Sequence, residues 1–381
     1  MSDNLFDIKV GELSFKNPIA LAPMGGITNS CFANENATDA GLVILGGYNL
    51  DAATQKAASE MLARGREEFE SNEPLKLIES EIKAVNEGPV VGVNVRSTTI
   101  EPLIEAAKIA KHADAILELD AHCRQKEITD IGAGQALLTD LTKLCDWIEH
   151  IKETGVVLSV KVRANVVDDI ELVQQIESSG ADILHLDAMK EGSGADLNLI
   201  KNIRDSTRMF LICNNSVTDI DAAQDMFTRG ADMVSVARGV LEDSGLISNL
   251  VHSISAQQED MGWYNAPKHV CRGEGDLRGL AFCCLPVKPC PVHNNIKKLG
   301  YSAQEFADTK MEFVKGTMLE YGDSTCFGSL AWCCKISKRC YLRDGVLETL
   351  GLSDAEYMRL KKELADYIIN NAKKPIGTSK N

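Results

Sequence analysis

Short β-branched runs alternate with amphipathic stretches through the first 250 residues, and that alternation restricts the chain to an α/β architecture. The predicted strands are Ile19–Leu21, Leu42–Leu45, Val90–Asn94, Ala115–Leu119, Val157–Val162, Ile183–Leu186, Phe210–Cys213 and Met233–Val236. Between them, apolar residues recur at three- and four-residue spacing in Ile100–Lys111, Gln135–Lys152, Asp169–Ser178 and Leu197–Arg204, as in helices with one buried face. Eight strand–helix pairs over about 250 residues match a (β/α)8 barrel, the TIM-barrel architecture. Counting alone does not show closure, so a doubly wound open sheet stays as the alternative.

The pattern breaks at Ser255–Lys268, which reads as a linker, and a repeat written in cysteine follows. Leu280-Ala281-Phe282-Cys283-Cys284 with Cys290 recurs as Leu330-Ala331-Trp332-Cys333-Cys334 with Cys340. Each copy has one more cysteine upstream, Cys271 and Cys326. Each runs into a capping box that starts a helix, Ser302 with Glu305 and Ser353 with Glu356. The chain therefore divides into a barrel over residues 1–254, a linker over 255–268 and a small cysteine-rich domain of two loop–helix units over 269–381.

Eight of the twelve cysteines lie in this duplicated unit, which points to a metal. The N-terminus has neither a basic start nor an apolar stretch, so a cytoplasmic, reducing location is expected, where disulfides are rare. Adjacent cysteines on an extended backbone point to opposite sides, so Cys283/Cys284 and Cys333/Cys334 each divide between two centres, or one member ligates and the other packs. Zinc prefers paired C-x2–4-C knuckles, which are absent, whereas Cys290-Pro291 resembles the Cys-Pro that closes iron–sulfur motifs. Iron–sulfur clusters of the 4Fe-4S type are the first reading, zinc the second and a disulfide framework the third.

Charge is unevenly shared. From Ala256 onward the chain holds 18 basic and 15 acidic residues, so the overall charge of −15 leaves −18 on the first 255 residues. A body so acidic repels polyanions, which disfavours nucleic acid as its partner, and no apolar run suggests a membrane.

In such barrels chemistry gathers at the C-terminal strand ends. Those ends read Pro23-Met24-Gly25-Gly26, Gly46-Gly47, Asn94, Asp120-Ala121-His122-Cys123, Lys161-Val162-Arg163, His185, Asn214-Asn215-Ser216 and Ala237-Arg238-Gly239. Any one polar residue after a strand is as readily a turn former or a helix cap; the whole set at successive rim positions points to a ligand. Cys31 and Cys145 fall in predicted helices and read as small core residues.

Asn17-Pro18 through Ala22-Pro23-Met24-Gly25-Gly26-Ile27-Thr28-Asn29 resembles the opening signature of the dihydrouridine synthases, flavin barrels related to dihydroorotate dehydrogenases. The resemblance runs on through 115–138, Leu158–Arg163, His185 and Gly230–Gly239. It implies flavin mononucleotide (FMN) at Pro23, Met24, Lys161, His185, Asn214, Asn215, Ala237 and Arg238, with Asn94 in the place of a dehydrogenase asparagine. The lysine would stabilise the reduced ring and Arg238 would suit a phosphate; a structural ion pair inside the barrel is the competing account of Lys161. The resemblance also implies that Cys123 donates a proton; His122 or Arg124 beside it would lower its pKa, and a relic or plain loop cysteine is the competing account. Against this, Asp120-Ala121-His122-Cys123-Arg124 stands where the synthases carry Asn-x-Gly-Cys-Pro. Cys213, Asn215 and Ala237 replace phosphate-loop glycines, and the helical tRNA-binding domain gives way to the cysteine module.

The duplicated aromatic-Cys-Cys-x5-Cys unit resembles the domain of methanogenesis marker protein 9, found in methanogenic archaea. Together the two resemblances imply an FMN-dependent oxidoreductase exchanging electrons with C-terminal iron–sulfur centres, acting on a small molecule or a redox protein partner in methanogenesis or methanogen cofactor metabolism. The alternatives are a tRNA-dihydrouridine synthase with an unusual appendage and a non-enzymatic zinc-bearing adaptor on a retired barrel.

Overall fold

The computed structural model of the protein describes residues 8–261, Glu191 and Thr228 excepted, together with Gly300 and Glu305. All eight expected strands form, and they close. The barrel strands are β1 (Ile19–Leu21), β2 (Leu42–Asn49), β3 (Val90–Arg96), β4 (Ile116–Ala121), β5 (Val157–Arg163), β6 (Ile183–Asp187), β7 (Phe210–Asn214) and β8 (Met233–Val236). Each pairs in parallel with its neighbours and β8 pairs with β1, so the open-sheet alternative falls. The predicted α/β class and (β/α)8 barrel are what the chain adopts, within a compact unit spanning Ile8–His252.

The barrel interior is layered because side chains alternate along a strand. Ala20, Leu42, Ile44, Ile116, Ile183, Phe210, Ile212 and Met233 form an apolar floor. An antiparallel hairpin of Ile8–Val10 and Leu13–Phe15, which the sequence reading missed, closes that floor with Ile8, Val10 and Phe15, the ring of Phe15 lying 5.5 Å from that of Phe210. Two residues further along the strands the inward positions turn polar, with Asn94, Glu118, Ser159 and His185 all buried. The other strand residues, such as Val93, Leu117, Val160 and Leu184, are equally buried, as expected of a parallel sheet covered on its outer face.

Helices start close to the strand exits and are fixed there by side-chain caps. Asn29, Asp51, Asp140, Asp168 and Asp196 each accept a hydrogen bond from a first-turn amide. Asp140 explains a departure from expectation. The stretch Gln135–Lys152 is a 3-10 turn, Gly134–Thr139, followed by a separate helix, Leu141–Lys152, because Asp140 begins a new helix. The last described helix, Leu246–Met261, runs into residues read as linker; no glycine or proline interrupts it before Gly262. Cys31, expected in the core, is exposed, its thiol 3.4 Å from Glu35 on the same helix, while Cys145 is half-buried. Among the described residues no helix is long and apolar enough to cross a membrane.

Candidate functional site

Strand register brings the expected polar residues side by side. Asn94 lies opposite Glu118, Glu118 opposite Ser159, Asp120 opposite Lys161, and Lys161 opposite His185. Their side chains form one buried network. Glu118, with no exposed surface, accepts hydrogen bonds from Asn94 Nδ2 at 2.9 Å, Ser159 Oγ at 2.9 Å and His185 Nδ1 at 2.7 Å. His185 Nε2 lies 3.0 Å from Lys161 Nζ and 2.8 Å from Ser235 Oγ.

Protonation follows from burial and from what each group is able to donate. Burial penalises the charge on Glu118, but His185, Lys161 and Asn94 outweigh it and hold the carboxyl down at about 2. Burial, then the Lys161 cation, pushes His185 below its ordinary value, so the ring is neutral. A carboxylate only accepts, so the ring proton sits on Nδ1 and Nε2 accepts from Lys161. Burial also lowers Lys161, against the pull of Glu118, Asp187 and Asp120. The result is a carboxylate–imidazole–ammonium chain with no net charge, the only inexpensive way to keep ions in such an interior. Lys161 is thus an interior residue at 4% exposure, and His185, fully buried, stands behind it.

Above this layer sits a second cluster. Asp120 Oδ1 accepts the backbone N–H of both His122 and Cys123, at 2.9 Å each, and so folds the loop that carries the thiol. Cys123 is partly buried against Ala57, Met61, Ile128 and Ala133. Its pKa is raised, not lowered as expected; burial dominates, and the cation acting against it is Arg96. His122 faces elsewhere, its Nε2 lying 2.8 Å from Asp187 Oδ2. Asp187 is also reached by Asn215 Nδ2 at 2.9 Å; despite burial, these two hydrogen bonds hold its carboxyl well below the usual range.

The remaining expected positions ring the mouth. Pro23, Met24, Asn214, Asn215 and Ala237 are half-buried and Arg238 is exposed. Asn215, where the resemblance expects glycine, and its neighbour Ser216 both take positive φ, 118° and 55°. Asn214 Oδ1 is buried without a hydrogen-bond partner. The cysteines expected to bind metal (Cys271, Cys283, Cys284, Cys290, Cys326, Cys333, Cys334 and Cys340) lie outside the described residues. Among the described residues no cluster of His, Cys, Asp or Glu is arranged to hold a metal ion.

Sequence reasoning missed Glu118, Ser159, Ser235, Arg96, Asp187 and Glu68. All but Glu68 and Ser235 had a visible signal: polar residues two apart inside apolar strands, Asn94/Arg96, Glu118/Asp120, Ser159/Lys161 and His185/Asp187, face the same way. Glu68 arrives from an irregular segment and carries no such mark.

These residues suit FMN at both of its ends. The ammonium of Lys161 and the orphaned Asn214 acceptor match a ring bearing both acceptors and an N–H. At Gly47 a Cβ would stand 2.7 Å from Asn94 Oδ1, so the missing side chain keeps that amide clear. The exposed Arg238 guanidinium suits a phosphate.

A family model described as dihydrouridine synthase matches residues 20–273. An uncharacterized protein of Methanocaldococcus jannaschii is 57% identical over 112 residues, covering 29% of this chain and 72% of its own length. A second uncharacterized protein of the same organism is 37% identical over 243 residues, 61% of this chain and 93% of the relative. A probable tRNA-dihydrouridine synthase of Rickettsia conorii is 26% identical over 266 residues, 66% of this chain and 75% of the relative.

Proposed function

The chain belongs to the dihydrouridine synthase family, and on that footing we propose that it is an FMN-dependent oxidoreductase whose barrel exchanges electrons with iron–sulfur centres held by its C-terminal cysteines. The observation that carries the reading is the Lys161 ammonium, fixed inside the barrel by the His185–Glu118 relay. A structural ion pair would satisfy Lys161 by direct contact with a carboxylate. Here an imidazole stands between the two, and among the described residues no carboxylate pairs directly with the ammonium.

FMN, when bound, supplies hydride transfer. The chain's own residues do the rest. Lys161 and Asn94 would hold the ring, with His185 setting the lysine from behind. Pro23, Met24, Asn214, Asn215, Ala237 and Arg238 would frame the remainder of the cofactor. Cys123 keeps its proton on Sγ at neutral pH because burial raises its pKa, which suits a proton donor, and Arg96 would stabilise the thiolate left behind. The domain boundary near residue 254, a small-molecule substrate or redox protein partner, a cytoplasmic setting and a place in methanogenesis or methanogen cofactor metabolism belong to the same proposal. So does the likeness of the cysteine unit to methanogenesis marker protein 9.

Anaerobic purification of the full chain, followed by an absorption spectrum and metal analysis, tests it. Flavin bands with iron and sulfide are expected. Colourless protein with stoichiometric zinc, unaltered by added FMN, would mean the adaptor reading instead.

A second reading, tRNA-dihydrouridine synthesis, is favoured by the Rickettsia relative and by the retained Cys123. The charge of −18 on the first 255 residues opposes it. Deleting the gene and measuring dihydrouridine in tRNA separates the two.

A further inference from the structure

Arg96 stands two residues beyond Asn94 on β3, at 3% exposure, inside the mouth. Its Nε donates to Asn49 Oδ1 at 2.7 Å, which fixes the guanidinium plane, and Nη2 lies 3.5 Å from Gly47 O. Nη2 is taken by Glu68 Oε2. Among the described residues Nη1 finds only Asp120 Oδ2, at 3.7 Å, too far for a hydrogen bond. A planar donor pair with one half underused is the form that accepts a carboxylate end-on.

The present occupant comes from outside the barrel. Glu68 lies between the helices Ala52–Ala63 and Pro74–Ala84, in a segment whose neighbours Gly65, Arg66, Glu67 and Glu70 are exposed. Its carboxylate is nonetheless buried, about 3.1 Å from where a Cβ on Gly25 would stand. The segment's backbone is tied down next door: Phe69 O accepts from Asn49 Nδ2, and the Phe69 ring packs 5.0 Å from that of Tyr48. Only the Glu68 side chain has to rotate to uncover Arg96, and the exposed Arg66, 3.3 Å from Glu68 Oε1, offers it a partner on the way. Asp120 links Arg96 to the thiol loop, its Oδ2 lying 3.7 Å from Arg96 Nη1 and its Oδ1 accepting the Cys123 N–H at 2.9 Å, so a ligand held here lies near the thiol.

We propose that Arg96 anchors the carboxylate of a small organic acid substrate, and that Glu68 fills this subsite until the acid displaces it. The inference rests on the barrel mouth being the active site, as in the reading above, and it narrows the substrate to acids. A carboxylate is favoured over a phosphate because Asp120 already stands beside the subsite, and two charges on one bound group meet greater repulsion there than the single charge of one carboxylate.

The test is isothermal titration of the full-length chain, without added cofactor, with succinate, neutral succinamide and inorganic phosphate. Glu68→Ala is expected to bind succinate at least ten-fold more tightly than the unaltered chain, with succinamide unaffected and phosphate gaining less. The gain is expected to vanish in Glu68→Ala/Arg96→Lys, which keeps the charge but loses the planar fork; Glu68→Gln, a milder change, should give a smaller gain. No gain in either single variant, a gain that survives loss of the fork, or an equal gain for succinamide overturns the proposal. FMN titration of the same proteins keeps the two ideas apart. FMN binding without succinate binding removes the acid subsite alone, and succinate binding without FMN binding removes the flavin reading alone.

Discussion

Glu118 and His185, on strands separated by β5 and both without exposed surface, are joined by a 2.7 Å hydrogen bond across the barrel interior. The pair makes acid the weak side of this protein. Both groups have folded pKa values below their ordinary ones, so each contributes stability that is present above its unfolded pKa and lost as pH falls. The losses come at different pH. For His185 the loss begins on passing downward through about 6.5; for Glu118 it runs from about 4.5 to about 2 and amounts to roughly 3 kcal/mol. Urea unfolding at stepped pH should show two falling limbs, and His185→Asn should remove the upper one.

Removing the carboxylate leaves a buried imidazole and ammonium without their counter-charge. Glu118→Ala is expected to cost about 3–5 kcal/mol, read as a lower urea midpoint with unchanged slope. Glu118→Gln should lose less, because it still accepts hydrogen bonds.

Asp120 acts through shape at one oxygen and through charge at the other. Asp120→Asn keeps the Oδ1 acceptor for the His122 and Cys123 amides and should cost under about 1 kcal/mol, whereas Asp120→Ala should cost about 1–3 kcal/mol. Thermal melting ranks them.

Thiol reactivity should follow exposure. Among the described cysteines, iodoacetamide at pH 8 is expected to modify exposed Cys31 first, Cys123 at least ten-fold more slowly and Cys213 not at all in the folded protein. Peptide-resolved mass spectrometry gives the order. Fast labelling of Cys123 would contradict the raised pKa that burial imposes.

Gly47→Ala places a methyl 2.7 Å from Asn94 Oδ1 and 3.8 Å from Arg96 Cζ. Asn94 is held by Glu118, so it yields poorly, and a loss of about 1–3 kcal/mol is expected in denaturant melts.

The barrel was legible because its strands are short and strongly β-branched, with ends that seldom differ by more than two residues from the apolar runs. Asn94, Lys161 and His185 were legible as polar residues at the strand ends. Their shared partner Glu118 lies inside its strand, where the polar layer starts, and so is not marked by the strand ends where loops begin. The direction of the Cys123 shift was misjudged for a different reason. Adjacency along the chain suggested His122 and Arg124, while the cation that matters is Arg96, on another strand. The same limit hid the Ile8–Phe15 hairpin and Glu68, whose positions depend on contacts far away in sequence.

That hairpin has a consequence for access. With Ile8, Val10 and Phe15 wedged into the floor, that end of the barrel is filled by apolar side chains. A molecule that reaches the polar layer therefore comes in from the strand-exit side and goes back out the same way.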